Sequence, residues 1–287
     1  MAHQHNQFKE NSYRLNVAIF INILLTVVQV IGGILSGSLS LIADALHNFS
    51  DAGALFVAVI ARKIGNKPAD NNLSYGYKRA EILGALINST TLIIVGVYLC
   101  YEAVARYFNP EPIDGWIVVW VAGVALLVDS ATAFLTYFSG GKDNLNIRAA
   151  FIHNVSDALA SIVVIIAGSL IILYQIYVVD LIATLGISLY VIFHGIALMK
   201  ESIGILMQAV PKGFDIEEIR RQLMTIDCVV DAEHIHLWQL DDKRVFFEGQ
   251  ISVVGDPGTY DEVKKLIKSQ LRQRFQIDHC TVELIWE

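Results

Sequence analysis

His47-Asn48-Phe49-Ser50-Asp51-Ala52 sits inside one long apolar run, and His153-Asn154-Val155-Ser156-Asp157-Ala158 repeats it inside another. Each copy places a His and an Asp at i and i+4, one turn apart on one helix face. An Asp at bilayer depth costs about 2.5–3.5 kcal/mol on insertion scales. Ionisable groups at that depth need a partner, and two imidazoles with two carboxylates suit a divalent cation. For one pair alone, a local His–Asp hydrogen bond between packed helices would suffice. The repetition, in two runs expected to face the same interior, favours a metal site.

The composition supports membrane depth. Of the 287 residues, 54% are hydrophobic and 17% charged, against about 25% charged in an average soluble domain. Six segments are long and apolar enough to cross a bilayer, which takes about 20 residues. They are read at 15–36, 39–62, 80–107, 115–138, 148–173 and 177–200. Ser36-Gly37-Ser38 joins the first two as a tight hairpin. Asn109-Pro110-Glu111-Pro112 ends the third, because proline cannot continue a helix. Basic residues gather on alternate loops: Lys9 and Arg14, then Arg62, Lys63, Lys67, Lys78 and Arg79, then Lys142 and Arg148, then Lys200 and Lys212. The opposite loops hold only Arg106. The positive-inside rule therefore puts both termini in the cytoplasm. The polar first eleven residues do not read as a cleaved signal peptide.

Past Pro211 the texture changes. Residues 215–226 and 259–275 have helical spacing, while 229–240, 244–254 and 278–286 alternate as strands. The order αββαβ predicts a small ferredoxin-like α+β domain over 209–287, following a transmembrane domain over 1–208. The fold class expected is thus an α-helical membrane protein of six spans with a cytoplasmic domain behind it. The net charge of −7 and the lack of a basic cluster exclude a nucleic-acid surface. Cys100, Cys228 and Cys280 form no CxxC pair, so neither a disulfide framework nor a thiolate zinc site is expected.

Taken together, Ser40-Leu41-Ile42-Ala43-Asp44-Ala45-Leu46-His47-Asn48-Phe49-Ser50-Asp51, His153-Asn154-Val155-Ser156-Asp157, Ser74-Tyr75-Gly76-Tyr77-Lys78-Arg79-Ala80-Glu81 and His234-Ile235-His236-Leu237-Trp238 give nearly the whole chain a family character. It resembles the cation diffusion facilitators, the zinc-exporting antiporters. The resemblance maps the transport site onto His47, Asp51, His153 and Asp157, and a His at position 47 is similar to the zinc-preferring branch. It implies a homodimer in a bilayer, with Zn2+ as cargo and protons as counter-substrate. It also implies zinc in the tail at the dimer contact, for which Glu233, His234, His236, Glu248, His279 and Glu283 are candidates. The competing reading of those six is polar surface around a packed Trp238. A second loop metal site known in some members is not expected, because Asp70 has Leu73 and Tyr77 where ligands would stand. The 139–146 loop is short and has no His, so no His-rich loop is expected.

Four other polar positions lie in apolar runs. Asp44, one turn before His47, is either an acceptor orienting that imidazole or a helix-packing partner. Asp129 and Glu102 are placed near the membrane interface and given no role. His194 reads as a satisfied bundle histidine.

A membrane metallohydrolase and a flux-free metal sensor are the alternatives. A hydrolytic zinc keeps one position open for water, whereas four protein ligands close the shell, and no His-Glu-x-x-His occurs. A sensor does not need its ligand cluster inside six spans. The expected function is proton-coupled zinc export by alternating access from a multi-pass membrane, with a bacterial inner membrane as the expected location.

Overall fold

A computed structural model describes residues 21, 23–138, 145–241, 244–255, 260–277 and 279–286, with Asp51 and His153 described in backbone only. The helices run α1 (Ile23–Ser36), α2 (Leu39–Gly65), α3 (Ala80–Phe108), α4 (Gly115–Phe138), α5 (Leu145–Tyr174) and α6 (Val178–Leu206). The expected first span begins at residue 15, and its early part lies outside the described residues. Of the others, Ala80–Phe108, Gly115–Phe134, Asn154–Tyr174 and Val178–Leu206 are each long and apolar enough to cross a membrane. α2 is long enough, but Asp44, His47, Asp51, Arg62 and Lys63 dilute its hydropathy. Large apolar side chains such as Leu127 and Phe193 point outward at 72% and 70% exposure, as a lipid-facing surface requires.

The chain divides into two compact units, the first taking residues up to Phe56 with Asn88–Ala197 and the second Val57–Ile87 with Leu198–Glu287. In the first, helices approach closely at small residues, the usual membrane interface. A Cβ on Gly168 would stand 2.9 Å from Val118 Cγ1, and one on Gly96 would stand 2.6 Å from Ile192 Cγ1. These contacts join α4 to α5 and α3 to α6. Leu41, Leu99, Val118, Ala122, Val164 and Val191 fill the core between them.

The start of α2 is fixed from α6. Ser38 caps the helix, its Oγ accepting the Leu41 amide at 3.1 Å. Asp180, in the first turn of α6 and fully buried, accepts from Ser38 Oγ at 2.6 Å, Ser40 Oγ at 2.5 Å, the Leu39 amide at 2.9 Å and the Ser40 amide at 3.4 Å. A carboxylate there satisfies orphan amides and complements the positive end of the α2 dipole.

The second unit holds the ends of α2 and α3, the loop between them and the tail. Beyond α6 the order is α7 (Ile216–Leu223), β1 (Val229–Gln239), β2 (Val245–Val253), α8 (Tyr260–Phe275) and β3 (His279–Trp286), the αββαβ order expected from the alternation. The sheet order is β1-β2-β3, with β1 antiparallel and β3 parallel to β2. The parallel pair needs a crossover, which α8 supplies. Ile219, Leu223, Val263, Ile267 and Leu271 of the two helices pack with Leu237, Phe247, Ile251 and Val253 in one core.

Arg220 of α7 holds Asp231 at the start of β1 through a forked pair, with Nη2 at 2.8 and 3.0 Å from the two carboxylate oxygens. The guanidinium, helped by the Ala232 amide, pulls the Asp231 carboxyl below its ordinary range. A depressed carboxyl contributes stability above its unfolded value of about 4, and that contribution fades as pH falls through the lower folded value. Asp231→Asn is therefore expected to lower the tail's melting temperature at pH 7 and to narrow its gap from wild type below pH 4. An equal gap at both pH values, read by thermal unfolding, would remove this pair from the acid response.

Candidate metal-transport site

The two repeats fall on α2 and α5, so their helices must meet for the ligands to meet. They do so at His47 and Asp157, with Nε2 3.2 Å from Oδ1. Asp157 is 6% exposed, which keeps the pair away from bulk water. The His47 ring stands edge-on to Tyr190 of α6, with centroids 6.0 Å apart. Asp51 and His153 lie one helical turn from His47 and Asp157 on the same helices; their side chains lie outside the described residues. A cavity of about 160 Å3 adjoins His47, Ser50, Asn88 and Ser188 between α2, α3 and α6. Ser50 Oγ donates to Asn88 Oδ1 at 3.4 Å across it.

Behind the His47–Asp157 pair lies a polar network. Gln29 of α1 donates to Asp44 Oδ2 at 2.7 Å and accepts from Asn48 Nδ2 at 3.0 Å. Gln29, Asp44 and Asn48 are 0, 1 and 2% exposed. Asp44 is thereby tied to the α1 scaffold, which supports the packing side of its two readings. Asp129 is buried at 5% exposure, within 3.4 Å of Ser161 Oγ. Its place on the α4 face that meets α5 explains this. Glu102 forms an i,i+4 ion pair with Arg106 at 3.1 Å. His194 is exposed, its Nδ1 3.2 Å from the Tyr190 carbonyl oxygen and its ring against Tyr190.

Gln29 and Asp129 are each a lone polar residue inside an apolar run, and such residues face a bundle interior.

Asp70 is engaged in its own loop. Its carboxylate accepts the Asn72 and Leu73 amides, each at 2.8 Å, and the Tyr77 hydroxyl at 2.7 Å. The Tyr77 hydrogen bond, with the Leu73 and Asn72 amides, holds the Asp70 carboxyl below its usual range, and the same contact raises the Tyr77 phenol.

The tail candidates do not converge within the chain. His236 and Glu248 are cross-strand partners on β1 and β2. His234, however, sits at a register shift with φ of 48°, so it does not simply share the His236 face as an i, i+2 pair would. Glu233 and His234 instead line a groove with Glu217 and Arg220 of α7. His279 packs on Phe246, ring centroids 4.2 Å apart, and Glu283 accepts from Gln250 at 2.8 Å. Among the described residues, no three His, Cys, Asp or Glu side chains form a metal-holding group. Trp238 packs edge-on against Phe246 at 4.7 Å, as does Tyr75 of the α2–α3 loop at 5.5 Å.

Comparison with known proteins places this arrangement among metal transporters. Residues 15–207 match the family described as the cation efflux transmembrane domain. The chain is 34% identical to the zinc transporter ZitB of Pectobacterium atrosepticum, over all of this chain and 90% of that protein. It is 35% identical to the cadmium, cobalt and zinc/H(+)-K(+) antiporter of Bacillus subtilis, covering 99% of this chain and 92% of that one. It is 32% identical to the metal cation efflux system protein CzcD of Cupriavidus metallidurans, over 98% and 89% of the two chains.

Proposed function

This chain belongs to the cation efflux family, and on that premise we propose that it exports Zn2+ from the cytoplasm in exchange for protons. The carrying observation is the 3.2 Å approach of His47 to Asp157 across the two helices that bear the repeats. Asp51 and His153 complete the proposed ligand set, two nitrogens and two carboxylates, which suits tetrahedral zinc. Related transporters named for cadmium and cobalt as well as zinc favour some breadth among divalent metals. In this reading the bundle has six spans with both termini cytoplasmic. The functional boundary falls at 208/209, and 209–287 is a ferredoxin-like domain. The protein works as a homodimer in a bacterial inner membrane.

The ligands bind metal only when deprotonated, so zinc and protons compete for the same lone pairs. Histidine is the side chain whose charge ordinarily changes near neutral pH, which suits a ligand that must trade metal for protons. Zinc binds from the cytoplasm, the bundle rocks, and protons entering from outside displace it. An all-protein shell of four ligands leaves no place for the water of a hydrolase. The scattered tail candidates favour metal shared between two copies: His236 and Glu248 of one strand pair would need ligands from a partner subunit.

In proteoliposomes, a proton gradient directed opposite to zinc movement is expected to raise the initial zinc rate at least severalfold. Unchanged flux when the gradient is collapsed or reversed would overturn antiport.

A further inference from the structure

A cavity of about 780 Å3 lies within the second unit, among the ends of α2 and α3, their loop and the tail sheet. Ile60 and Ile64 of α2, Leu83 and Ile87 of α3, and Trp238 and Phe246 of β1 and β2 line it. The four aliphatic side chains are 37–64% exposed, an apolar surface that calls for an apolar cover. Tyr75 and Trp238 also line the cavity, both edge-on to Phe246, and Tyr and Trp are the side chains that gather where a membrane meets water. Among the described residues, Arg79 is the one charged side chain in the lining. Its Nε is sealed from solvent and has no hydrogen-bond partner, an unfavourable state for a donor on a cation. The surrounding segment is basic: residues 62–81 hold Arg62, Lys63, Lys67, Lys78 and Arg79 against Asp70 and Glu81. Asp70 is already engaged by the Asn72 and Leu73 amides and the Tyr77 hydroxyl.

We propose that this cavity binds an anionic phospholipid of the bilayer, with an acyl chain against α2 and α3 and the phosphate on the Arg79 guanidinium. The lining has the two chemistries of such a molecule, an apolar wall and a single cation. A guanidinium pairs with phosphate through parallel N–H···O bonds, which gives Arg79 Nε the acceptor it lacks. Basic pockets between transmembrane helices suit anionic headgroups in general. A zwitterionic headgroup would bring its own ammonium into a segment that already carries excess positive charge. A free phosphate would leave the aliphatic wall uncovered. The wall belongs to α2 and α3 on one side and to β1 and β2 on the other, so a bound lipid touches the helices and the tail sheet together. The proposal rests on the membrane reading of the helices and not on zinc export, so the two can fail separately.

The test is thermal unfolding of the purified full chain in a neutral maltoside detergent, without zinc and at fixed ionic strength. Dioleoyl phosphatidylglycerol is expected to raise the midpoint by about 3 °C, a binding-linked shift. Dioleoyl phosphatidylcholine, with the same chains, is expected to raise it much less, and glycerol 3-phosphate, with no chains, to leave it unchanged. Arg79→Gln is expected to lose the rise. Ile60→Trp, which fills the chain's place from an exposed position, is expected to reduce it. Lys63→Gln removes the same charge outside the lining and is expected to keep it. Each shift is read against that variant's own lipid-free midpoint, so a destabilised variant still reports. Equal rises with the two lipids, or a rise that survives Arg79→Gln, would overturn the proposal. A rise lost equally in Lys63→Gln would do so too, by reducing the effect to general surface attraction. A rise with glycerol 3-phosphate would make the ligand a soluble phosphate instead. A midpoint that climbs with protein concentration and not with lipid would give the cavity to a second copy of this chain.

Discussion

Asp157→Ala is expected to reduce zinc transport in proteoliposomes at least a hundredfold, to the background of empty vesicles, while the protein remains folded. Asp157 Oδ1 is the group that faces His47 Nε2 at 3.2 Å. In the proposed site, removing it takes away both a ligand and the negative charge that would offset the cation at membrane depth. Three ligands would remain, with net charge uncompensated in a medium that solvates ions poorly. Asp51→Ala is expected to have the same effect. The measurement is the initial zinc rate, with elution volume and melting temperature as folding controls. Transport near the wild-type rate in either variant would overturn the four-ligand site.

Asp180→Ala is expected to be the most destabilising single change in the bundle. The carboxylate accepts two hydroxyls and two amides at the start of α2. Removing it leaves those donors buried among apolar helices, where an orphaned group costs about 1–3 kcal/mol and a broken buried charge network about 3–5 kcal/mol in all. Asp180→Asn keeps an acceptor oxygen and should lose less. Folded yield in detergent and the thermal midpoint are the readouts. A midpoint within a degree of wild type for Asp180→Ala would show that the α2 start is held by other contacts. Because α2 carries His47, partial loss of this cap should also weaken zinc binding before it unfolds the chain.

Much of the architecture was legible because its signals are local. The apolar run lengths marked the four helices that are long and apolar enough to cross a membrane among the described residues, Pro110 and Pro112 ended α3, and alternation after Pro211 located three strands. The repeated His-x-x-x-Asp marked α2 and α5 as partners, and they meet at His47 and Asp157. Less legible were positions whose meaning depends on what faces them. Asp129 is a lone acid among apolar neighbours, and only the packing of α4 on α5 sets it beside Ser161. His234 and His236 stand two residues apart in β1, which strand alternation alone would put on one face; a local irregularity at His234 breaks that rule.

The sequence by itself determined the membrane class, the αββαβ tail and the two helices that carry the His-x-x-x-Asp repeats, because hydropathy, turn chemistry and helical spacing act over a few residues. The tertiary structure decided which polar groups meet: His47 with Asp157, Gln29 with Asp44, Asp180 with the start of α2, and Asp44 with Asp129 through one hydroxyl. Those meetings join residues up to 142 positions apart, and a buried polar group has no preference among distant partners until packed helices bring one within reach.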